Sequence, residues 1–239
     1  MMRLRDMAAC LRRVAGSLRY GASAACGKPL AAGAVTLLLA LPVAAEPVRV
    51  VALGDSLTAG YGLPDGQGFV PQLQDWLDAN GVDATIVNAG VSGDTTAGGL
   101  ARLDWALDAE TGAMIVALGG NDLLRGLPPA TSRDNLAAIL DRVAGERGLP
   151  VLLIGLDAPG NYGAGYEAAF DAMYPELARQ YDALLEPNFL GPLIEGNDIA
   201  TARTRYLQSD GLHPNREGVA RIVDAFGPKV AELVGRANP

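Results

Sequence analysis

Apolar residues recur along this chain with two periods, and stretches of the two kinds alternate. Residues 48–53 (VRVVAL), 84–88 (ATIVN), 113–118 (AMIVAL) and 150–156 (PVLLIGL) are short runs rich in β-branched residues and leucine. They predict strands buried on both faces. Between them the spacing becomes helical. Residues 69–79 put Phe69, Leu73, Trp76 and Leu77 on one stripe, with Gly81 closing the segment. Residues 95–107 do the same with Leu100, Leu103 and Leu107, and residues 132–147 with Leu136, Ile139, Leu140 and Val143. A glycine-rich loop through Gly165 leads to a helix expected from about Tyr166 to Leu184, and residues 185–205 show no clear period. A terminal helix is predicted over residues 215–234, with Val219, Ile222, Val223, Phe226, Val230 and Leu233 inward.

Buried strands alternating with amphipathic helices predict an α/β fold: one domain of three layers, with a central, mostly parallel sheet between helices. The segment from residue 46 to 239 is long enough for such a core. In these sheets ligands bind beyond the C-terminal ends of the strands. Three glycine-rich or polar clusters fall at those ends: Gly54-Asp55-Ser56, residues 88–96 and residues 119–122.

The first 45 residues break the alternation. They hold Arg3, Arg5, Arg12, Arg13, Arg19 and Lys28 against one acid, Asp6. An apolar run at 30–41 (LAAGAVTLLLAL) follows, then Pro42-Val43-Ala44-Ala45. A basic start, a short apolar stretch and a small-residue exit are the three parts of a secretory signal, with the cut expected after Ala45. The run is far short of the roughly 20 residues of a spanning helix, so no stable membrane insertion is expected once the leader is gone. An uncut leader would instead tether the protein. The expected location is the periplasm or the exterior.

Removing the leader changes the charge. It carries six of the 19 basic and one of the 27 acidic residues, so the remainder has 13 basic and 26 acidic residues and a net charge of −13. That disfavours nucleic acid and anionic surfaces as partners. Both cysteines, Cys10 and Cys26, lie in the leader, so the mature chain has no thiol chemistry.

The chain has one histidine, His213, so any imidazole-based reaction must use it. Asp210 stands three residues upstream, with Gly211 between them allowing a sharp turn. A carboxylate so placed can hold one ring nitrogen while the other faces a substrate. Alone, such a pair could equally be a surface histidine capping the terminal helix. Ser56 follows the first strand directly, where a hydroxyl is exposed at the rim or caps a helix. Thr58 occupies the second glycine position of a G-x-S-x-G elbow, which argues against the α/β-hydrolases. Ser92-Gly93-Asp94 offers a backbone N–H and Gly119-Gly120-Asn121-Asp122 a side-chain amide, both suited to binding an oxyanion.

Taken together, Gly54-Asp55-Ser56-Leu57, Val91-Ser92-Gly93-Asp94-Thr95, Gly119-Gly120-Asn121-Asp122 and Asp210-Gly211-Leu212-His213-Pro214 resemble the four sequence blocks of the SGNH (GDSL) hydrolases. The match is nearer the branch of bacterial secreted thioesterases, lysophospholipases and arylesterases. It is carried further by Asn121-Asp122-Leu123-Leu124-Arg125-Gly126-Leu127, Asn161-Tyr162-Gly163 and Met173-Tyr174-Pro175. The resemblance implies a flavodoxin-like sheet and a catalytic set of Ser56, Asp210 and His213. It implies an oxyanion hole of Ser56, Gly93 and Asn121, and a loop at 123–128 over the acyl site. Substrate contacts are expected at Leu57, Leu123, Leu124, Leu127 and Pro159. The implied substrate is a small acyl ester or thioester, such as an aryl ester, acyl-CoA or lysophospholipid. A carbohydrate O-acetyl group is the alternative within the family, and a non-catalytic acyl-binding module the alternative outside it. No cofactor and no metal are expected, since one histidine and no mature cysteine leave few zinc ligands.

Overall fold

The computed structural model describes residues 46–238, and the expected leader with its cut after Ala45 lies outside them. Five strands form the centre: β1 (Val48–Gly54), β2 (Ala84–Gly90), β3 (Thr111–Ala117), β4 (Val151–Ile154) and β5 (Leu184–Glu186). Every neighbouring pair is parallel, so the sheet is wholly rather than mostly parallel. The strand order is β2-β1-β3-β4-β5, the doubly wound flavodoxin-like arrangement. The helices that follow β1 are α1 (Ser56–Ala59) and α2 (Phe69–Ala79), and those after β2 are α3 (Thr96–Ala101) and α4 (Leu103–Ala106). Beyond β3 come α5 (Gly120–Leu124) and α6 (Pro129–Leu140), and beyond β4 comes α7 (Ala164–Gln180). The chain ends with α8 (Gly191–Ile194), α9 (Ile199–Tyr206) and α10 (Arg216–Ala237).

Alternation along β1 feeds two cores. Val50 and Ala52 join the layer with Phe69, Leu73, Ile222 and Phe226 from α2 and α10. Val51 and Leu53 join the layer with Leu136, Ile139, Phe170 and Leu177 from α6 and α7. In the first layer Phe189 bridges two helices, tilted at 5.1 Å from Phe69 and edge-on at 5.9 Å from Phe226.

Several elements differ from the periodicity reading. The helix expected over 95–107 breaks at Arg102, which ends α3 and starts α4 with φ −108 and ψ 9. The helix expected over 132–147 begins at Pro129, and its last turns widen to a π-helix at Asp141–Glu146. The helix expected to reach Leu184 stops at Gln180, because Asp182 turns the backbone left-handed (φ 51) and sends Leu184 into β5. That strand is three residues long, too short to show a period of its own.

The register sets the position of the site. Gly54 pairs with Gly90 on one side and Ala117 on the other, so β1, β2 and β3 end level. The chain reverses its winding between β1 and β3, where doubly wound sheets open a crevice. Phe226→Ala is expected to cost about 3–5 kcal/mol by leaving a cavity under the aromatic trio. The measurement is a urea unfolding curve, whose midpoint should fall while its slope is kept.

Candidate active site

Ser56 stands where β1 gives way to α1. The short helix is held by Ala59 N–H on the Asp55 carbonyl (2.9 Å) and Gly60 N–H on the Ser56 carbonyl (3.1 Å). Capping falls to Asp55, whose Oδ1 accepts from Leu57 N–H at 3.0 Å. Ser56 is thus the first helical residue rather than the cap, and its own N–H has no intrahelical acceptor. Its Oγ points elsewhere. The helix lies close over the strand because residue 54 is glycine: a Cβ there would strike the Thr58 hydroxyl. Thr58 Oγ1 is buried with no hydrogen-bond partner among the described residues.

His213 comes from the other end of the chain. Its loop is closed by Gln208 N–H on the His213 carbonyl (2.8 Å) and Gly211 N–H on the Gln208 carbonyl (3.0 Å), with Gly211 at φ 67. Inside the turn, Asp210 Oδ1 accepts from the N–H groups of Leu212 (2.9 Å) and His213 (3.0 Å). Its Oδ2 lies 2.7 Å from His213 Nδ1, and Nε2 lies 2.8 Å from Ser56 Oγ. An ionised carboxylate only accepts, so the ring proton sits on Nδ1 and Nε2 is left to accept from the serine hydroxyl. The same contacts, led by the His213 hydrogen bond, hold the Asp210 carboxyl down to about 2. The Tyr61 ring covers the imidazole with centroids 4.7 Å apart, and Gln208 Nε2 donates to the Tyr61 carbonyl at 2.8 Å. The terminal helix is capped by Asn215, not by His213.

Across the rim, Asn121 Nδ2 donates to the Asp94 carbonyl at 2.9 Å and reaches Asp55 Oδ2 at 3.4 Å. The second contact is long, so one amide proton is available to a stronger acceptor. Gly93 precedes Asp94 on the β2–α3 loop at φ 87, and among the described residues nothing accepts its N–H. Its carbonyl accepts from Arg125 at 2.8 Å. Asp122 is fully buried and accepts from Thr96 N–H (2.8 Å), the Thr96 hydroxyl (2.6 Å) and the Ser132 hydroxyl (2.9 Å). It ties the loop bearing Gly93 to the helix bearing Asn121. Asp55 is 3% exposed, and burial raises its carboxyl to about 6 against the pull of the Leu57 N–H.

A cavity of about 370 Å³ opens from Ser56, His213 and Asn121, with mostly aliphatic walls. Among the described residues, no three His, Cys, Asp or Glu side chains gather as a metal site.

Residues 52–221 match the model of the GDSL-like Lipase/Acylhydrolase family. The chain belongs to that family. The esterase TesA of Pseudomonas aeruginosa is 39% identical over 86% of this chain and 98% of its own length. Thioesterase 1/protease 1/lysophospholipase L1 of Escherichia coli K12 is 36% identical over 83% of this chain and 90% of its own. The crystal structure of AlinE4, an SGNH-hydrolase family esterase, is 45% identical with a TM-score of 0.63, covering 79% of this chain and 97% of that one.

In this acylhydrolase four of the five expected substrate contacts line the cavity: Leu57, Leu123, Leu124 and Pro159. Leu127 does not. Its carbonyl accepts from Tyr166 at 2.8 Å, so it anchors the end of the 123–128 segment. Gly93 also lies outside the cavity walls, on the exposed loop beside the Asn121 contact. The walls include Leu156, Tyr162, Leu190 and Leu212, which the sequence reading left out. Leu156 follows β4, within reach of the strand-end rule, and Leu212 sits inside the Asp210–His213 block. Leu190 falls in the stretch without periodicity.

The raised Asp55 carboxyl has a measurable sign. Its value in the fold, about 6, exceeds the unfolded 3.8. Its contribution to stability is therefore full below about pH 3.8 and is lost as pH rises through about 6, a loss of about 3 kcal/mol. Asp55→Asn keeps an acceptor for Leu57 N–H and should be more stable than the parent near pH 8. Denaturant unfolding across that range should show its pH dependence flattened.

Proposed function

We propose that this acylhydrolase cleaves carboxylic esters and thioesters through an acyl-enzyme on Ser56. His213 Nε2 takes the Ser56 proton as Oγ attacks the acyl carbonyl. The Ser56 and Gly93 N–H groups and the free proton of the Asn121 amide receive the oxyanion. The imidazolium, held by Asp210, protonates the departing alcohol or thiol. Water then attacks the acyl-enzyme, giving its proton to His213, and the carboxylic acid leaves with Ser56 restored. The observation that carries this reading is the unbroken relay, 2.7 Å from Asp210 to His213 and 2.8 Å from His213 to Ser56.

The leucine-lined cavity suits the alkyl part of the acyl group rather than a sugar ring, which favours acyl esters over carbohydrate O-acetyl groups. The relatives' names, esterase, thioesterase and lysophospholipase, point the same way. The basic start, apolar run and Ala45 exit support export with removal of the first 45 residues. No helix among the described residues is long and apolar enough to cross a membrane. Mass spectrometry of the mature N-terminus tests the cut.

Ser56→Ala and His213→Ala should each abolish hydrolysis of short p-nitrophenyl esters with unfolding curves preserved, and turnover like the parent's in either would refute the assignment. Asn121→Ala should cost about a hundredfold or more in kcat. Asp210→Asn turns an amide toward Nδ1 and imposes the wrong ring tautomer. Steady-state assays should register a loss on the order of 10⁴ in kcat. A graded panel of acyl esters, acyl-CoA and lysophospholipid then ranks the substrates.

A further inference from the structure

We infer that Arg102 is a positioning residue of the oxyanion site, one guanidinium that joins the Ser56 and Gly93 segments directly and bears on the Asn121 amide through Asp94. The inference rests on the reading that Ser56, Gly93 and Asn121 receive the oxyanion. Arg102 lies outside the four family blocks, in the break between α3 and α4, and its side chain is 17% exposed. Without that break the residue would continue a surface helix. With it the side chain turns back under the rim.

Each of its three nitrogens binds a different acceptor. Nε donates to Asp94 Oδ2 (2.5 Å), Nη1 to the Ala89 carbonyl (2.7 Å) and Nη2 to the Gly54 carbonyl (2.9 Å). Gly54 ends β1 two residues before Ser56. Ala89 lies near the end of β2, on the path to Gly93. Asp94 follows Gly93, and its carbonyl accepts the Asn121 amide. Val91 N–H shares the Gly54 carbonyl at 3.0 Å, which closes the loop onto the end of β1.

Only arginine suits this place. Its planar fork offers five donors in fixed directions, whereas a lysine ammonium is one mobile point charge. Donors fixed before the reaction act more strongly than donors that must reorganise during it. The contribution therefore belongs to the transition state more than to substrate binding.

The test compares Arg102→Lys with the parent on a short p-nitrophenyl ester, with active sites titrated by the acylation burst. The expected result is a fall in kcat per titrated site of about ten- to a hundredfold with KM within about twofold. Affinity for an alkylboronic acid, which forms a tetrahedral adduct on Ser56, should fall by the same factor. A purely structural staple would lower the melting temperature while leaving kcat per site and boronate affinity at parent values, and that result overturns the inference. If Arg102→Lys does not fold, Asp94→Asn decides. It should lower kcat and boronate affinity together by about three- to tenfold, and no change in either refutes the role. Activity surviving in Ser56→Ala would instead refute the nucleophile assignment, so the two failures are told apart.

Discussion

Parallel strands buried on both faces can expose polar groups only where they end. In this protein three of them end together. The pairing of Gly54 with both Gly90 and Ala117 leaves β1, β2 and β3 level, and the segments bearing Ser56, Gly93 and Asn121 all start from that edge. A slip of one residue in either pairing would turn the buried set of a strand to the opposite layer and move a loop along the rim. The hydrophobic alternation that fills the two cores is therefore also what aligns Ser56, the Gly93 loop and the Asn121 amide.

Polar groups at the rim then divide by burial. Asp122 is fully enclosed and meets three donors, so it acts as an internal tie. Asp55 is nearly as enclosed but has one good donor and one distant one, and its carboxyl is raised accordingly. Asp210 lies nearer the surface with two backbone donors and the imidazole, and its carboxyl is lowered. Three aspartates within one site thus carry three environments. Of the three, Asp210 is the one within hydrogen-bond reach of the imidazole.

The sequence disclosed the fold wherever a pattern was long enough to repeat. The helix over Phe69–Ala79 was readable residue for residue, and four strands were readable to within a few residues of their ends. The fifth strand has three residues and no repeat to read. The break at Arg102 was hidden because Leu100, Leu103 and Leu107 keep a helical spacing across it, while the residue that ends the helix does so for contacts outside it. Ser56, His213, Asp210 and Asn121 were legible because each sits in a block tied to a strand end or a tight turn. Leu127 shares a loop with two cavity residues but lies outside the cavity walls, and only the Tyr166 hydroxyl shows which way that loop is anchored. Asp55 looked like part of a motif, and its burial is a property of the packed rim alone.

The bond between His213 and Ser56 spans 157 residues. The chain has no other histidine, and the loop that carries this one leads directly into the last helix. Synthesis runs from the N-terminus, so Ser56, the Gly93 loop and most of the sheet emerge well before the imidazole that the serine hydroxyl faces. A chain cut before His213 would lose the imidazole together with the α10 face of one core layer, so the contact to Ser56 and the completion of that layer arrive together.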